Sequence, residues 1–372
     1  MNAGQTSTPQ QGAISQGPVA KGPWIDIDLG ALCDNYAMLA GAAPGVPLAP
    51  AVKCEAYGLG AGPVARTLCN RAGAREFFVV YPEEGAALRA ALNDADSVIY
   101  CFGGPAEETL PIFDTAKLTP VLNSLDQAAL WAARKPGAEA ALHLDTGMNR
   151  LGAPVSSLAD IAAVNGLNIT LVMSHLACAS EPDHPKNREQ RARFMEAAQN
   201  FSGARLSLAA SGGALMGKEY HFDLIRPGIA LYGGSPFAQD DARIKPVAAL
   251  RAPILQIRHL APGETVGYDA AFTAERPTRI ATVAIGYGDG YPRAGAGRGE
   301  AIIHNERARI VGKVSMDFVT LDVTDLKKPA EPGDIAEFFG PSLRLFEAAA
   351  AAGRTAYDFL TGLGGRAHRR YL

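Results

Sequence analysis

Between Trp24 and about Ala248 the chain repeats one local pattern: a short apolar run, a turn, then an Ala- and Leu-rich stretch with helical spacing. The apolar runs fall at residues 48–53, 77–81, 97–101, 119–123, 141–145, 169–174, 205–210 and 222–226, and helical patterns at 63–72, 82–92, 125–134 and 187–200 lie between them. About eight such units over roughly 220 residues is the size of a (β/α)8 barrel, so the predicted class is α/β with an N-terminal barrel. A doubly wound open sheet has the same local pattern and is the alternative. It is weakened because no GxGxxG opens an early helix. From about Leu250 the pattern changes. Strand-like runs at 253–259, 278–285, 300–303, 308–311, 318–323 and 334–338 are separated by turns such as Ala261-Pro-Gly-Glu264 and Gly288-Asp-Gly-Tyr-Pro292, with one short helical stretch at 343–352. This predicts a β-rich C-terminal domain over residues 249–372, after a barrel over 24–248.

Composition narrows the partner. The net charge of −3 leaves no basic excess to neutralise a phosphate backbone, so a nucleic-acid partner is not expected and a small molecule is. Five cysteines, odd in number and without paired spacing, suit a reducing cytoplasm and argue against a disulfide framework. The seven histidines form no HxH or HxxxH pair, so no metal is expected. No apolar segment approaches the ~20 residues of a membrane helix. Residues 1–23, rich in Gln, Gly, Pro, Ser and Thr and lacking an apolar core, read as a disordered leader.

The chemistry collects where a barrel places it, past the carboxyl ends of its strands. Lys53 ends the first apolar run and opens a small-residue loop with Tyr57 four residues on. Desolvation there lowers a lysine pKa and frees the amine to attack a carbonyl. A lysine snorkelling at a strand end is the plainer alternative. Past the fifth run lies Asp145-Thr-Gly-Met-Asn-Arg150-Leu-Gly152, past the sixth Ser174-His175, past the seventh Ser211-Gly-Gly213, and past the eighth Arg226-Pro-Gly-Ile229. Ser211 and the backbone of Gly228 and Ile229 offer donors to a phosphate, Arg150 and Arg226 suit a carboxylate or a ring atom, and Lys53 is the attachment point for an aldehyde cofactor. That inventory fits pyridoxal 5'-phosphate better than a metal. Taken singly, His175 also reads as a core histidine, Met148 and Met316 as packing residues, Cys54 as a small packing residue, and Tyr287 and Tyr291 as turn residues. The basic end Arg366…Arg369-Arg370 reads as solvated.

The same residues carry a family likeness. Trp24-Ile-Asp-Ile-Asp-Leu29, Ala51-Val-Lys53, Ala56-Tyr-Gly58, Asp145…Gly152, Ser174-His175 and Ile225-Arg-Pro-Gly-Ile229 occur in order, followed by Glu264-Thr-Val…Tyr268, Ile285-Gly-Tyr-Gly-Asp-Gly-Tyr-Pro-Arg293, Val311-Gly-Lys-Val-Ser-Met-Asp317 and Tyr357-Asp-Phe-Leu-Thr361. With these motifs the chain resembles an alanine racemase from residue 24 to its end. The resemblance implies a pyridoxal-phosphate enzyme, a homodimer with shared active sites, that interconverts L- and D-alanine and so supplies D-alanine for peptidoglycan or degrades it. It implies Lys53 as one catalytic base and Tyr268, from the partner chain, as the other. His175 is implied to support Tyr268 and Arg226, Arg226 to face the pyridine nitrogen, and Tyr57, Ser211, Gly228 and Ile229 to hold the phosphate. Arg150 is implied to contact cofactor and substrate carboxylate, Met316 and Asp317 to complete the substrate site, and Tyr287 to line it.

Two bases on opposite faces of a planar carbon remove a proton and return another. Free Tyr and Lys titrate near ~10 and ~10.4, and nearby Arg charges lower both. Departures from the family pattern are His143 where many relatives carry a carbamylated lysine, Ala210 for an Asn before Ser211, and Gly365 about where a phosphate-contacting tyrosine is expected. Glu55 and Leu59 also differ, in the loop after Lys53. A His143 in place of that lysine supports Arg150 only when neutral. Alternative readings are a racemase of broader range that includes serine, a barrel decarboxylase, and a non-catalytic pyridoxal-phosphate carrier. The last is opposed by the β-rich domain, and the decarboxylase by an arginine where a carboxylate would make a stronger electron sink.

Overall fold

The computed structural model describes residues 22–372, so the leader expected over residues 1–23 lies outside them but for its last two positions. Six parallel strands run in chain order: Glu76–Val79, Val98–Cys101, Thr119–Leu122, Glu139–Asp145, Asn168–Met173 and Arg205–Ser207. Parallel bridges complete the ring, from Ala210 to Arg226, Leu48 to Ile225 and Ala51 to Phe78. Backbone bonds reinforce them, Ala49 N–H to Ile225 O at 2.8 Å and Phe78 N–H to Pro50 O at 2.9 Å. The expected (β/α)8 barrel is therefore present. Its first and last staves are reduced to bridges. Pro47, Pro50 and Pro227 lack N–H donors there, so a full ladder cannot form. The staves read as unbroken apolar runs because they are covered on both faces. Inside the ring Ala49, Phe78, Tyr100, Val121, Ala141, Leu171 and Leu224 are buried together, so the barrel is filled.

The β-rich domain is an eight-stranded sheet built on the long strand Ala248–Leu260, which pairs with Thr278–Val283, Ile335–Phe339 and Trp24–Ile27. This corrects the expected boundary at residue 24. Trp24–Ile27 is buried throughout and lies antiparallel to Ala248–Arg251 and parallel to His368–Tyr371, so the chain starts in the second domain and crosses to the barrel through the helix Leu29–Ala42. Four apolar-rich residues carry no signal for which sheet they join; only long-range pairing decides it.

The basic C-terminus is not a solvated end. Arg370 donates to both oxygens of Asp26, at 2.6 and 2.9 Å, and stacks over Trp24. Arg369 donates to Gly58 O, and Arg366 pairs with Asp289 and Asp317. Arg251 bridges Asp26 and Glu337, so the two chain ends are tied by one partly buried charge network. Burial raises the Asp26 pKa, but hydrogen bonds from Arg370, Trp24 and Arg251 outweigh it and the net shift is downward. A depressed carboxyl stabilises the fold above its unfolded value near ~3.9 and loses that contribution as pH falls through the folded value. Asp26→Asn should cost about 2 kcal/mol, less than a fully buried pair because both guanidiniums reach water. That corresponds to about 3 °C in Tm at pH 7. The loss should be smaller at pH 3 than at pH 7, because the contribution fades as pH falls from the unfolded value toward the folded one, and calorimetry at both pH values checks it.

Candidate functional site at the barrel mouth

Lys53 does not end a strand, as expected, but opens an unusual turn. Cys54, Glu55, Ala56 and Tyr57 all have left-handed backbone angles, with φ of 51°, 53°, 51° and 57°. Each costs roughly 1–2 kcal/mol outside glycine, so the run persists only because its surroundings fix it. Glu55 caps it by accepting from Ala61 N–H at 3.0 Å, Arg369 donates to Gly58 O at 2.8 Å, and the Tyr371 hydroxyl donates to Leu59 O at 3.0 Å. Gly58 sits against Leu360, whose carbonyl oxygen would be 2.5 Å from any Cβ there. Leu59 is fully buried. The reversed turn carries Tyr57 across the mouth to Gly228. A methyl on Gly228 would stand 2.3 Å from the Tyr57 hydroxyl. Ser211 Oγ accepts from Gly228 N–H at 2.9 Å and from Ala230 N–H at 3.3 Å. Tyr57, Ser211 and the Gly228-Ile229 peptide therefore share one small cradle. Ala210 precedes it without a side-chain cap for the short helix Ser211–Met216, where an Asn would supply one.

Beside the cradle lie the charges. Arg226 is buried and donates to Ser207 Oγ and to the carbonyls of Ser174 and Leu208. Burial pulls its pKa down to about 9, which still leaves it charged at neutral pH. Arg150 is held on a loop folded by Asp145, whose Oδ1 accepts from the N–H groups of Gly147, Met148 and Asn149. Burial, then the Arg150 charge, lowers the Lys53 pKa, and its ammonium lies 5.7 Å from the Phe102 ring. His175, on the mouth, is pushed well below the usual imidazole range by burial and by Arg226, Arg150, His143 and Lys53. The charges expected on one rim are thus close enough to act on one another.

His143 is buried with Nδ1 2.9 Å from Asn123 Oδ1. Asn123 Nδ2 donates to the carbonyls of Phe102 and Val121 and to Gln127, which fixes its oxygen as an acceptor. His143 Nδ1 therefore carries the hydrogen and Nε2 keeps its lone pair. Burial, then Arg226 and Arg150, pushes the His143 pKa down to about 4, so it is neutral at physiological pH.

A second group lies on the β-rich domain. Tyr268 is 70% exposed on the turn between Thr265–Val266 and Phe272–Thr273, and among the described residues its side chain makes no hydrogen bond. Tyr287 and Met316 are exposed on adjoining loops joined by the Gly288 N–H to Met316 O bond of 2.9 Å. Asp317 accepts from Arg366. Among the described residues no hydrogen bond or ion pair joins Tyr268, Tyr287, Met316 or Asp317 to Lys53. Gly365 stands in open space and brings no side chain to the cradle. Tyr357, not singled out from the sequence as a site residue, has its ring centroid 6.3 Å from that of Tyr57 and so stands beside the cradle. Its place in the motif Tyr357-Asp-Phe-Leu-Thr361 was the signal that could have marked it.

Comparison with known proteins decides the family. The sequence profile of "Alanine racemase, N-terminal domain" matches residues 27–236 and that of "Alanine racemase, C-terminal domain" residues 247–371. The chain belongs to the alanine racemase family. A catabolic alanine racemase of Agrobacterium fabrum is 45% identical over 94% of this chain and 92% of its own length. A biosynthetic alanine racemase of the same organism is 38% identical over 97% and 95%. Among solved structures, the alanine racemase of Bartonella henselae with covalently bound pyridoxal phosphate superposes with a TM-score of 0.89 at 32% identity, covering 94% of this chain and 99% of that one. The barrel and β-rich plan of this chain is thus that of the family. Among the described residues no cluster of side chains suits a metal, and no helix is long and apolar enough to cross a membrane.

Proposed function

We propose that this protein, an isomerase of the alanine racemase family, interconverts L- and D-alanine with pyridoxal 5'-phosphate in the barrel mouth. The observation that carries the reading is the cradle formed by Ser211, Gly228 and Tyr57, the last on the same turn as the half-buried Lys53, which suits a phosphate and an aldehyde carbon on one molecule. Lys53 would attach the cofactor, Tyr57, Ser211, Gly228 and Ile229 would hold its phosphate, and Tyr357 would close that end. Arg226 would face the ring nitrogen with His175 beside it. Arg150 would take the substrate carboxylate, with the lone pair of His143 Nε2 available to one of its N–H groups. When bound, the cofactor supplies an electron sink that acidifies the α-proton. Lys53, its pKa lowered, takes or returns that proton on one face.

Tyr268 of a partner chain would serve the other face, with Met316, Asp317 and Tyr287 completing the substrate site. Support for a homodimer comes from the exposure of Tyr268, Met316 and Phe318 on one domain, an apolar set that an isolated chain would bury. Five free cysteines support a reducing, cytoplasmic setting. The two alanine enantiomers are equal in energy, so one site serves D-alanine supply for peptidoglycan and D-alanine breakdown alike.

The test is the visible absorbance of the purified protein, followed by the circular dichroism of L-alanine and of L-serine incubated with it. A cofactor band with decay of the alanine signal alone supports the reading. Equal decay of the serine signal makes the enzyme a broad-range racemase, and a band with no decay overturns racemisation. Arg226 neither gives up nor accepts a proton near neutrality, so a ring nitrogen set against it stays unprotonated. Arg226→Glu should therefore raise pyruvate formation by about ten-fold per racemisation turnover. An unchanged ratio in the folded variant would sink that role.

A further inference from the structure

The left-handed turn after Lys53 is held at its start by a carboxylate outside the constellation described above. Glu84 lies in the first turn of the helix Pro82–Leu92, just past the second barrel strand. Its Oε1 accepts from the Cys54 N–H at 2.7 Å, while Oε2 accepts from the N–H groups of Val80 at 2.7 Å and Tyr81 at 3.1 Å. Cys54 follows Lys53 directly and is the first of the four left-handed residues. Val52, which precedes the turn, gives it no side-chain cap. The other side-chain ties, from Glu55, Arg369 and Tyr371, fall at the far end, on residues 58–61; at the start, Glu84 is joined by the backbone bonds from Ala56 N–H to Val52 O and from Val52 N–H to Phe78 O, each 2.9 Å. A run of left-handed residues is disfavoured at every position, so an unanchored start would relax.

We propose that Glu84 is a positioning residue for Lys53: by clamping the Cys54 N–H to the end of the second strand, it sets the reversed turn that aims Lys53 into the mouth and Tyr57 at Gly228. The proposal deepens the reading of the mouth as a cofactor site and rests on it for its consequence. Glu84 need not touch cofactor or substrate; it acts through backbone. Both oxygens are needed. Glutamine keeps one acceptor and turns an N–H donor toward Cys54 or toward Val80, and aspartate is a methylene too short to span the two. The Glu84 charge also works against the burial and the Arg150 charge that lower the Lys53 pKa, so its loss would alter the lysine's proton affinity as well as its aim.

Hydrogen exchange read by mass spectrometry, with and without pyridoxal phosphate, tests this in Glu84→Ala, Glu84→Gln and the control Ser124→Ala. Ser124 caps the helix Leu125–Arg134 by accepting from Gln127 N–H at 3.2 Å, and its loss weakens a barrel helix without touching the turn. In Glu84→Ala, peptides covering residues 53–60 should exchange about ten-fold faster in both states, and bound cofactor should leave about ten-fold faster on dilution. Glu84→Gln should fall between it and the natural chain. Ser124→Ala should leave both rates unchanged. Unaltered exchange over 53–60 in Glu84→Ala, or equal acceleration by Ser124→Ala, overturns the proposal. Should the natural chain take up no cofactor, the functional reading fails, and the exchange of the cofactor-free protein still decides what Glu84 does.

Discussion

Lys53→Ala should lose the visible cofactor band and alanine racemisation together, with the rate down by about 10^4-fold, while far-ultraviolet circular dichroism stays unchanged. Lys53 sits on the left-handed turn and makes no hydrogen bond that the fold needs among the described residues, so its truncation removes chemistry and leaves packing. Burial and Arg150 lower its pKa, which is the tuning a base near neutral pH requires and a merely snorkelling lysine lacks. A variant that keeps the band would place the attachment elsewhere. A variant that keeps the rate without the band would remove the cofactor from the mechanism.

The second large effect separates one chain from two. Tyr268→Phe alone should cut racemisation by about 10^3-fold and leave cofactor binding intact, since its ring stands exposed on the β-rich domain and makes no hydrogen bond to the cradle residues. Co-expressed with Lys53→Ala, it should restore about a quarter of natural activity. Half of randomly assembled dimers are mixed, and each mixed dimer holds one site with both residues and one with neither. If both bases came from a single chain, every site in a mixed dimer would lack one of them and the mixture would stay inactive. The exposure of Tyr268 in the isolated chain favours the first outcome.

Much of this was legible before any coordinates. Periodicity located the helices Pro82–Leu92 and Leu125–Arg134 to the residue, and the strand Glu300–Ile303 as well, because each is bounded by turn or capping residues and has one clear buried pattern. The candidate residues of the mouth were found because barrel strands deliver side chains to one rim. What failed has a common cause. Trp24–Ile27 and His368–Tyr371 are short strands that pair with each other from opposite ends of the chain, and short apolar or basic segments do not reveal their partners. The tail arginines looked solvated because Asp26, Asp289, Asp317 and the Gly58 carbonyl approach them only after folding. Tyr357 escaped notice for the same reason: its neighbour Tyr57 is 300 residues away in sequence.

The sequence by itself determined the order of units, the division into a parallel barrel and an antiparallel sheet, the family, and the residue types at the mouth. These follow from local periodicity and from motifs, which short-range sterics and burial write directly into the chain. Only the tertiary structure decided the left-handed turn after Lys53, the proton position on His143, the crossing of the N-terminal strand into the second sheet, and the exposure of Tyr268 on the β-rich domain. Each of those depends on a contact between distant residues: a carboxylate clamp, an amide with its donors already engaged, a strand register, an unfilled face. Such contacts are energetic outcomes of the whole fold, and no local pattern encodes them.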